Sequence, residues 1–448
     1  MNKKIIISLI VVVAILAASC FALKKSVNSK IEAKIEEIRS SGFNISYNER
    51  FSIFSVKADG KLEITNSKEA LNYIVSLQEY EEQREDLQRV VESIDEYTLM
   101  DIFEGMVYDY DFSVNLISSG VDLNLYLTKL SSSLMEEIEN ARDQQKVQIL
   151  VDMLENRDIH FNIDEKLNYK FKDIDLSNED FQIVLKGLYG TKNSTNIDLY
   201  EFNVPEEGLN LKLEKIKVYY EENSKKEMIS KFSVEKINFF AERFDFELNK
   251  LNLDSYSKTL ENLLASKTNI SFDKFSLNRV NYYAEEELKT ELNNINLNID
   301  LNQFPFQEYK DFLNAYATMN IDMYNFFEKG QILLQAISEA KSNINIKASS
   351  KDFILENLNI FKELGIDGDI LVSPNLAEMN FSTPNNLFDK LYFEIKVDKE
   401  SVQNAINNGN FNRNDEIRII ETEDKKYNLF KIELKEKGVF VNDSFQLR

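Results

Sequence analysis

Alternation of apolar and polar residues with a period of two dominates the chain from Met106 onward. In MVYDYDFSVNL, Met106, Tyr108, Tyr110, Phe112, Val114 and Leu116 fall on one face, and Val121, Leu123, Leu125 and Leu127 repeat the pattern in VDLNLYL. Such alternation predicts antiparallel sheet with one dry face and one wet face. It predicts further strands over 159–171, 209–220, 228–240, 244–253, 270–283 and 288–301, then LYFEIKV and a terminal pair in YNLFKIELKEKGVFVN. Helical spacing interrupts the pattern. Ile31, Ile35 and Ile38 share one face of a stalk-like helix over 26–40. Leu71, Ile74, Val75 and Leu77, then Leu87, Val90, Val91 and Ile94, predict helix over 68–104 with a break in its Glu-rich middle. Helices are also expected over 132–155 and 307–341, and in KESVQNAINNG. Phe43, Ile45 and Tyr47, then Phe51, Ile53 and Ser55, alternate ahead of Asp59-Gly60, which predicts a hairpin turning at that pair.

Within the strand-rich part the chain resembles itself. FSVEKINFFAE at 232–242 matches FSLNRVNYYAE at 275–285, and ELNKLNLD at 247–254 matches ELNNINLN at 291–298. A weaker echo, LKLEKIKVYYEE, starts at Leu211. Each unit reads as strand, turn, strand and a helical connection such as SYSKTLENLLAS. Stacking of such units implies an elongated sheet with a continuous apolar face.

The amino-terminal run from Ile5 to Leu23 holds no charge and is bracketed by Lys3, Lys4, Lys24 and Lys25. At about 1.5 Å rise per residue it makes roughly 28 Å of helix, enough to cross one hydrocarbon core. An uncleaved anchor is the expectation, with the basic start inside. The alternative is a lipoprotein signal cut before Cys20, for which Ala18, Ser19 and Cys20 fit while the apolar run continues past the cysteine. The organisation expected is therefore an anchor over 1–25, a region of stalk, hairpin and helices over 26–104, and a β-rich body over 105–448 with repeats near 209–301.

Composition narrows the function. A formal net charge of −23 and clustered acids argue against nucleic acid as a partner, which needs basic patches. One Cys allows no intrachain disulfide, and one His removes most metal centres and His-based acid–base chemistry. His160 opens a strand and is expected to be structural. Asp109 and Asp111 form a carboxylate pair of the kind used in glycoside or metal chemistry, but they fall on the wet face of an alternating strand. GIDGDILVSP at 365–374 lacks the ligand spacing of an EF-hand and predicts a turn entering a strand. No phosphate loop and no Gly-x-Ser-x-Gly elbow occurs. Phe239, Phe240, Tyr282 and Tyr283 are the repeated aromatics, read either as core filling or as one wall of an apolar groove.

The order of these segments resembles the YdgA-like family of bacterial inner-membrane proteins, a family without an established function. GFNISYNERFSIFSVKADGKLEI is similar to its opening hairpin, LNKLNLDSYSKTLENLL to its strand ending in Asn-Leu-Asp, and YNLFKIELKEKGVFVND to its terminal strand pair. The resemblance implies an inner-membrane anchor with the bulk of the chain in the periplasm, and it carries over no catalytic residue. The expected fold is α+β and β-rich: a long curved antiparallel sheet built partly from repeated hairpin-helix units, with packed helices and an N-terminal transmembrane helix. The expected function is non-catalytic and without cofactor, binding lipid or another apolar ligand along a sheet groove. The alternative is an envelope scaffold that homo-oligomerises and has no ligand groove.

Overall fold

The computed structural model describes residues 35–447 except 53–54, 78–80, 116–119, 141–143, 165, 167, 178–180, 224–226, 282–285, 318, 320–321, 377–383, 408–417 and 437. The anchor segment, Cys20, Tyr282 and Tyr283 lie outside the described residues. Among the described residues no helix is long and apolar enough to cross a membrane. Two compact units divide between Tyr200 and Glu201. The boundary expected at 104/105 falls inside the first of them, because a strand before it pairs with a strand after it.

The first unit contains β1 (Phe43–Ile45), β2 (Asn48–Ser52), β3 (Ser55–Ile64), β4 (Val107–Asn115), β5 (Val121–Lys129) and β6 (His160–Asp164). β7 (Tyr169–Phe171), β8 (Ile174–Ser177), β9 (Gln182–Lys186) and β10 (Tyr189–Thr191) follow, and β11 (Ser194–Val204) carries the chain across the boundary. An antiparallel ladder runs β3–β4–β5–β6–β7–β10, with β1 and β2 both paired to β3. Period two sends Tyr108, Leu125, Leu127, Phe161 and Ile163 to the dry face, and all five are buried. α1 (Ser67–Ser76), α2 (Glu81–Ser93) and α3 (Glu96–Phe103) lie between β3 and β4, and α4 (Ser132–Glu139) and α5 (Gln144–Glu155) between β5 and β6. Ala70, Leu71 and Ile74 of α1 and Leu99, Ile102 and Phe103 of α3 close the core over that face. Side chains of Asn66, Asp95 and Ser131 accept the N–H of the residue three places on, stopping each helix at a defined residue.

Four expectations for this unit are corrected. The helix over 68–104 breaks after Ser76 as expected but again after Ser93, making three helices, that over 132–155 is two, and the strand expected over 159–171 is the hairpin β6–β7. Asp59-Gly60 is not a turn. It sits inside β3, where β1 hands over to β2 as the pairing partner, and a Cβ on Gly60 would lie 2.0 Å from the Ser46 carbonyl oxygen. Glycine is there for a close backbone approach.

The second unit is a meander of β12 (Leu209–Glu222), β13 (Glu227–Ala241), β14 (Phe244–Leu260), β15 (Leu263–Asn281), β16 (Glu286–Pro305), β17 (Asn343–Leu355), β18 (Leu358–Val372) and β19 (Phe388–Asp398). β20 (Ile420–Glu421), β21 (Tyr427–Lys435), β22 (Gly438–Val441) and β23 (Ser444–Leu447) complete it. Each of β12 to β19 pairs antiparallel with the next, and β21 follows β19. α6 (Phe306–Ala317) and α7 (Met323–Ala340) form a helical hairpin between β16 and β17, and α8 (Lys399–Asn407) follows β19.

The helical connection expected at SYSKTLENLLAS is wrong. Those residues end β14 and begin β15, closed by Glu261 (φ 49°) and Asn262 (φ 71°) between the paired Leu260 and Leu263. Left-handed φ at both loop positions is the type I′ pattern that matches the twist of a hairpin. Glu356-Asn357 and Asn442-Asp443 repeat it. GIDGDILVSP is likewise not a turn into a strand but mostly the second half of β18, where a Cβ on Gly368 would lie 2.3 Å from the Phe393 ring. The repeated unit is thus a bare hairpin.

The units differ in their interiors. Of the fully buried hydrophobic side chains among the described residues, only Val234, Ala315, Leu333 and Val402 belong to the second unit. Phe161→Ala should therefore cost about 3–5 kcal/mol in the first unit. Leu253→Ala in the long sheet should cost no more than about 1.5 kcal/mol, the low end for a fully buried leucine. Urea unfolding read by amide exchange in each unit measures both, and equal losses would mean that the long sheet is covered.

Candidate functional site

One face of the long sheet is an apolar ladder. Level with one another across β12 to β16 stand Leu213, Ile237, Leu248, Phe275 and Leu292, and towards the other end Val218, Phe232, Leu253, Ile270 and Leu297. The second row continues through Ala348, Ile366 and Ile395 to Phe430. Near the β14–β15 turn the face changes. There Ser230, Ser255 and Thr268 stand level, with the Ser255 and Thr268 hydroxyls 3.1 Å apart. The opposite face carries Lys236, Asn249, Lys274 and Asn293 at one level and Glu247 and Glu291 beside them. Lys274 lies 3.3 Å from Glu247. The Asn249 amide, with Lys274 and Lys236, holds the Glu247 carboxyl below the usual range, and Lys289 does so for Glu291.

Both rows share a face only because each strand skips a residue between them. The apolar positions run Leu213 to Ile216, Val234 to Ile237, Leu248 to Leu251, Phe272 to Phe275 and Leu292 to Ile295, a step of three in place of two. Lys215 (φ 52°), Lys250 (φ 53°) and Asn294 (φ 50°) adopt left-handed backbone at the skip on alternate strands. An extra residue in one strand shifts its register against its neighbour. Here pairing resumes unchanged beyond the skip, from Glu214↔Lys236 to Lys217↔Ser233 and from Asn249↔Lys274 to Asn252↔Ser271, because adjacent strands skip at the same level. Ten residues of β16, from Leu292 to Leu301, thus give roughly 30 Å of continuous apolar surface.

Among the described residues nothing in the second unit caps most of this surface. Leu248, Leu251, Phe272, Phe275, Ile295 and Leu297 are half-buried, while Asn252, Asp254, Asn296 and Asn298 on the wet face are exposed. Within the ladder over β12 to β16, Val234 alone is fully buried, and Val218 is 41% exposed. The hairpin α6–α7 packs on β16, and α8 places Val402 against the far strands.

Of the aromatics singled out in the sequence, the two among the described residues face opposite sides of the sheet. Phe239 lies on the apolar face, 5.7 Å from Phe244, while its neighbour Phe240 turns to the wet face. Phe246 and Phe275, 5.6 Å apart, supply the ring pair that those positions were expected to give. Sequence reasoning missed the skip, although its signature of Leu-x-x-Leu-x-Leu spacing in ELNKLNLD is visible once sought.

Asp109, Asp111 and His160 do meet, on the wet face of the first unit. Asp109 accepts a 2.5 Å hydrogen bond from Arg157, and Asp111 accepts one of 2.9 Å from Asn124. The His160 ring stacks on Tyr126 at 4.5 Å and lies 2.9 Å from the Asn124 side-chain oxygen. Each of these groups has a neighbour. Among the described residues the buried Oδ1 of Asp109 has no hydrogen-bond partner, its contact being through Oδ2 alone, and no cluster of His, Cys, Asp and Glu is arranged to hold a metal ion. The patch is a cross-strand polar network. A cavity of about 640 Å³ in the second unit is lined by Lys, Asp and Glu alone, including the Lys362–Glu400 pair at 2.6 Å, and offers nothing to an apolar ligand. Comparison with family models, with curated proteins and with solved structures returns no match.

Burial pushes the His160 imidazole below its ordinary value of 6.5, helped by Lys172 and opposed by Asp111 and Asp122. Between the folded value and 6.5 the unfolded chain binds more protons, so this contribution is complete above 6.5 and lost as pH falls through that window. As the chain has one His, a single imidazole resonance should titrate with a midpoint below 6.5. A midpoint above that value would remove the packed, neutral ring.

Proposed function

We propose that the chain is a non-catalytic envelope protein that binds the acyl part of a lipid, or another elongated apolar ligand, along the apolar face of β12–β19. One observation supports this above the rest: over β12–β16 the second unit presents a ladder of Leu, Ile, Val and Phe that stays half-buried, with Val234 alone fully buried. Packed domains cover such a face with a second layer. The ladder's length exceeds the acyl depth of one leaflet, half of a hydrocarbon core of about 30 Å. Its lack of charge favours chain over headgroup, and the hydroxyls of Ser230, Ser255 and Thr268 mark the end at which a headgroup would sit. The resemblance to the YdgA-like family and the uncharged run from Ile5 to Leu23 add an inner-membrane tether to this reading, with the sheet in the periplasm beside a lipid source.

Photo-crosslinking in the full chain tests it. A benzophenone side chain at Leu253, on the apolar face, should yield a lipid-mass adduct, and one at Asn252, on the wet face, should not. A cross-link from Leu253 to a second copy without lipid would favour the scaffold instead. No adduct at either position would overturn both uses of the face.

A further inference from the structure

The helical hairpin α6–α7 carries a second apolar surface that the sheet does not use. Tyr324 is 79% exposed, Phe327 61%, Met323 60% and Tyr316 58%, and all four lie at the end where α6 stops and α7 starts. Beneath them the half-buried Phe312 and Phe326 rings approach to 5.4 Å, and the exposed Tyr316 ring lies 6.1 Å from Phe326. The opposite end of the hairpin is fixed to the sheet. The Phe306 and Gln307 N–H groups donate to Asn262 in the β14–β15 turn, and the Ser342 hydroxyl donates to the Gln303 carbonyl.

Polarity changes along the exposed side of each helix. On α7 the exposed positions run Tyr324 and Phe327, then Glu328, Gln331, Gln335 and Glu339, with Ile332 the one apolar exception. On α6 they run Gln307 and Asn314 before Tyr316. A hairpin bathed wholly in water would be polar along its whole exposed side, as it is near the sheet. An apolar end with two tyrosines suits the boundary between headgroups and acyl chains, where a ring is buried and its hydroxyl stays wet. The hairpin's cations are engaged within it: Lys329 lies 3.7 Å from Asp311, and Lys310 sits over the Phe306 ring. With Asp322 and Glu328 beside the rings, the surface suits a zwitterionic bilayer rather than an anionic one.

We propose that Tyr316, Met323, Tyr324 and Phe327 dock this hairpin into the headgroup–acyl boundary of a phospholipid bilayer. The docked end is the one away from the β14–β15 turn, to which the start of α6 is joined. Docking there would hold the long sheet at a bilayer, an advantage that rests on the lipid-binding reading above.

The chain contains no Trp, so Tyr324→Trp supplies its only indole. In the full chain reconstituted with phosphatidylcholine vesicles, its emission should shift to the blue and be quenched by brominated acyl chains. Phe327→Ser added to that chain should remove most of the quenching, and Tyr256→Trp, on the wet sheet face, should show none. If Tyr324→Trp does not fold, Tyr316→Trp carries the same measurement. An indole that stays unquenched overturns the proposal, as does a blue shift that appears without vesicles and grows with protein concentration, since a second copy would then cover the surface. The Leu253 cross-link reads the sheet separately: quenching without lipid there keeps the docking surface and removes the sheet's role, and lipid there with an unquenched indole does the reverse.

Discussion

The second unit depends on a conflict between strand geometry and strand length. Side chains alternate without exception in a regular strand, so a single extra residue sends every later apolar side chain to the other face. Strands β14, β15 and β16 run 17, 19 and 20 residues and share one skip in their apolar pattern, β16 adding a second at Gln303 (φ 55°) near its end. A skip confined to one strand would break the ladder. Placed at one level from Leu213–Ile216 to Leu292–Ile295, the skips cancel: registers on either side agree, and the apolar face continues past the skip. The residues at this level are exposed and polar, Lys215, Glu235, Lys250, Asp273 and Asn294, and Lys250 meets Asp273 at 2.6 Å. Lysine and asparagine there tolerate left-handed backbone at modest cost, a cost the uninterrupted hydrophobic face offsets.

The same constraint explains why the two units use apolar residues differently. In the first, short strands and capped helices bring Phe161, Ile163, Leu99 and Phe103 into one closed core. In the second, strand area grows faster than the helices available to cover it. The hairpin α6–α7 packs on β16, leaving the ladder on β12–β15 as a surface. A surface of that kind is stable when something apolar replaces water on it. Lipid and a second copy of the chain are the two occupants whose chemistry matches.

Part of this was legible in the sequence where one rule acted alone. Period two placed β4, β5, β12 to β16 and β19 but not β8 to β11 or β17, and the match of ELNKLNLD with ELNNINLN marks residues that stand level two strands apart, as Leu248 and Leu292 do. The companion match misleads: it sets Phe232 against Phe275, whereas the ladder sets Phe232 level with Ile270. Leu260, Leu263 and Leu264 have helical spacing, and only the left-handed pair Glu261-Asn262 turns them into a hairpin. Asp59-Gly60 has the composition of a turn, yet its glycine answers to the Ser46 carbonyl, a contact between strands that no local window contains. The pairing of Asp109 and Asp111 with His160 was hidden for the same reason, since β5 brings them together through Asn124 and Tyr126.

An apolar ladder several strands wide is also a hazard, because copies could bury it against one another and grow into an open aggregate. The charge of the chain bears on this more than on any partner. A formal net charge of −23 imposes repulsion between copies at long range, while Lys212–Glu214, Lys274–Glu247 and Lys289–Glu291 neutralise one another locally on the wet face. Repulsion acts over a Debye length of about 8 Å at physiological salt, whereas an uncharged acyl chain approaching the ladder feels none of it. Acidity of this kind therefore discriminates between the two occupants that the ladder's own chemistry does not separate: it disfavours a second copy and is indifferent to a lipid.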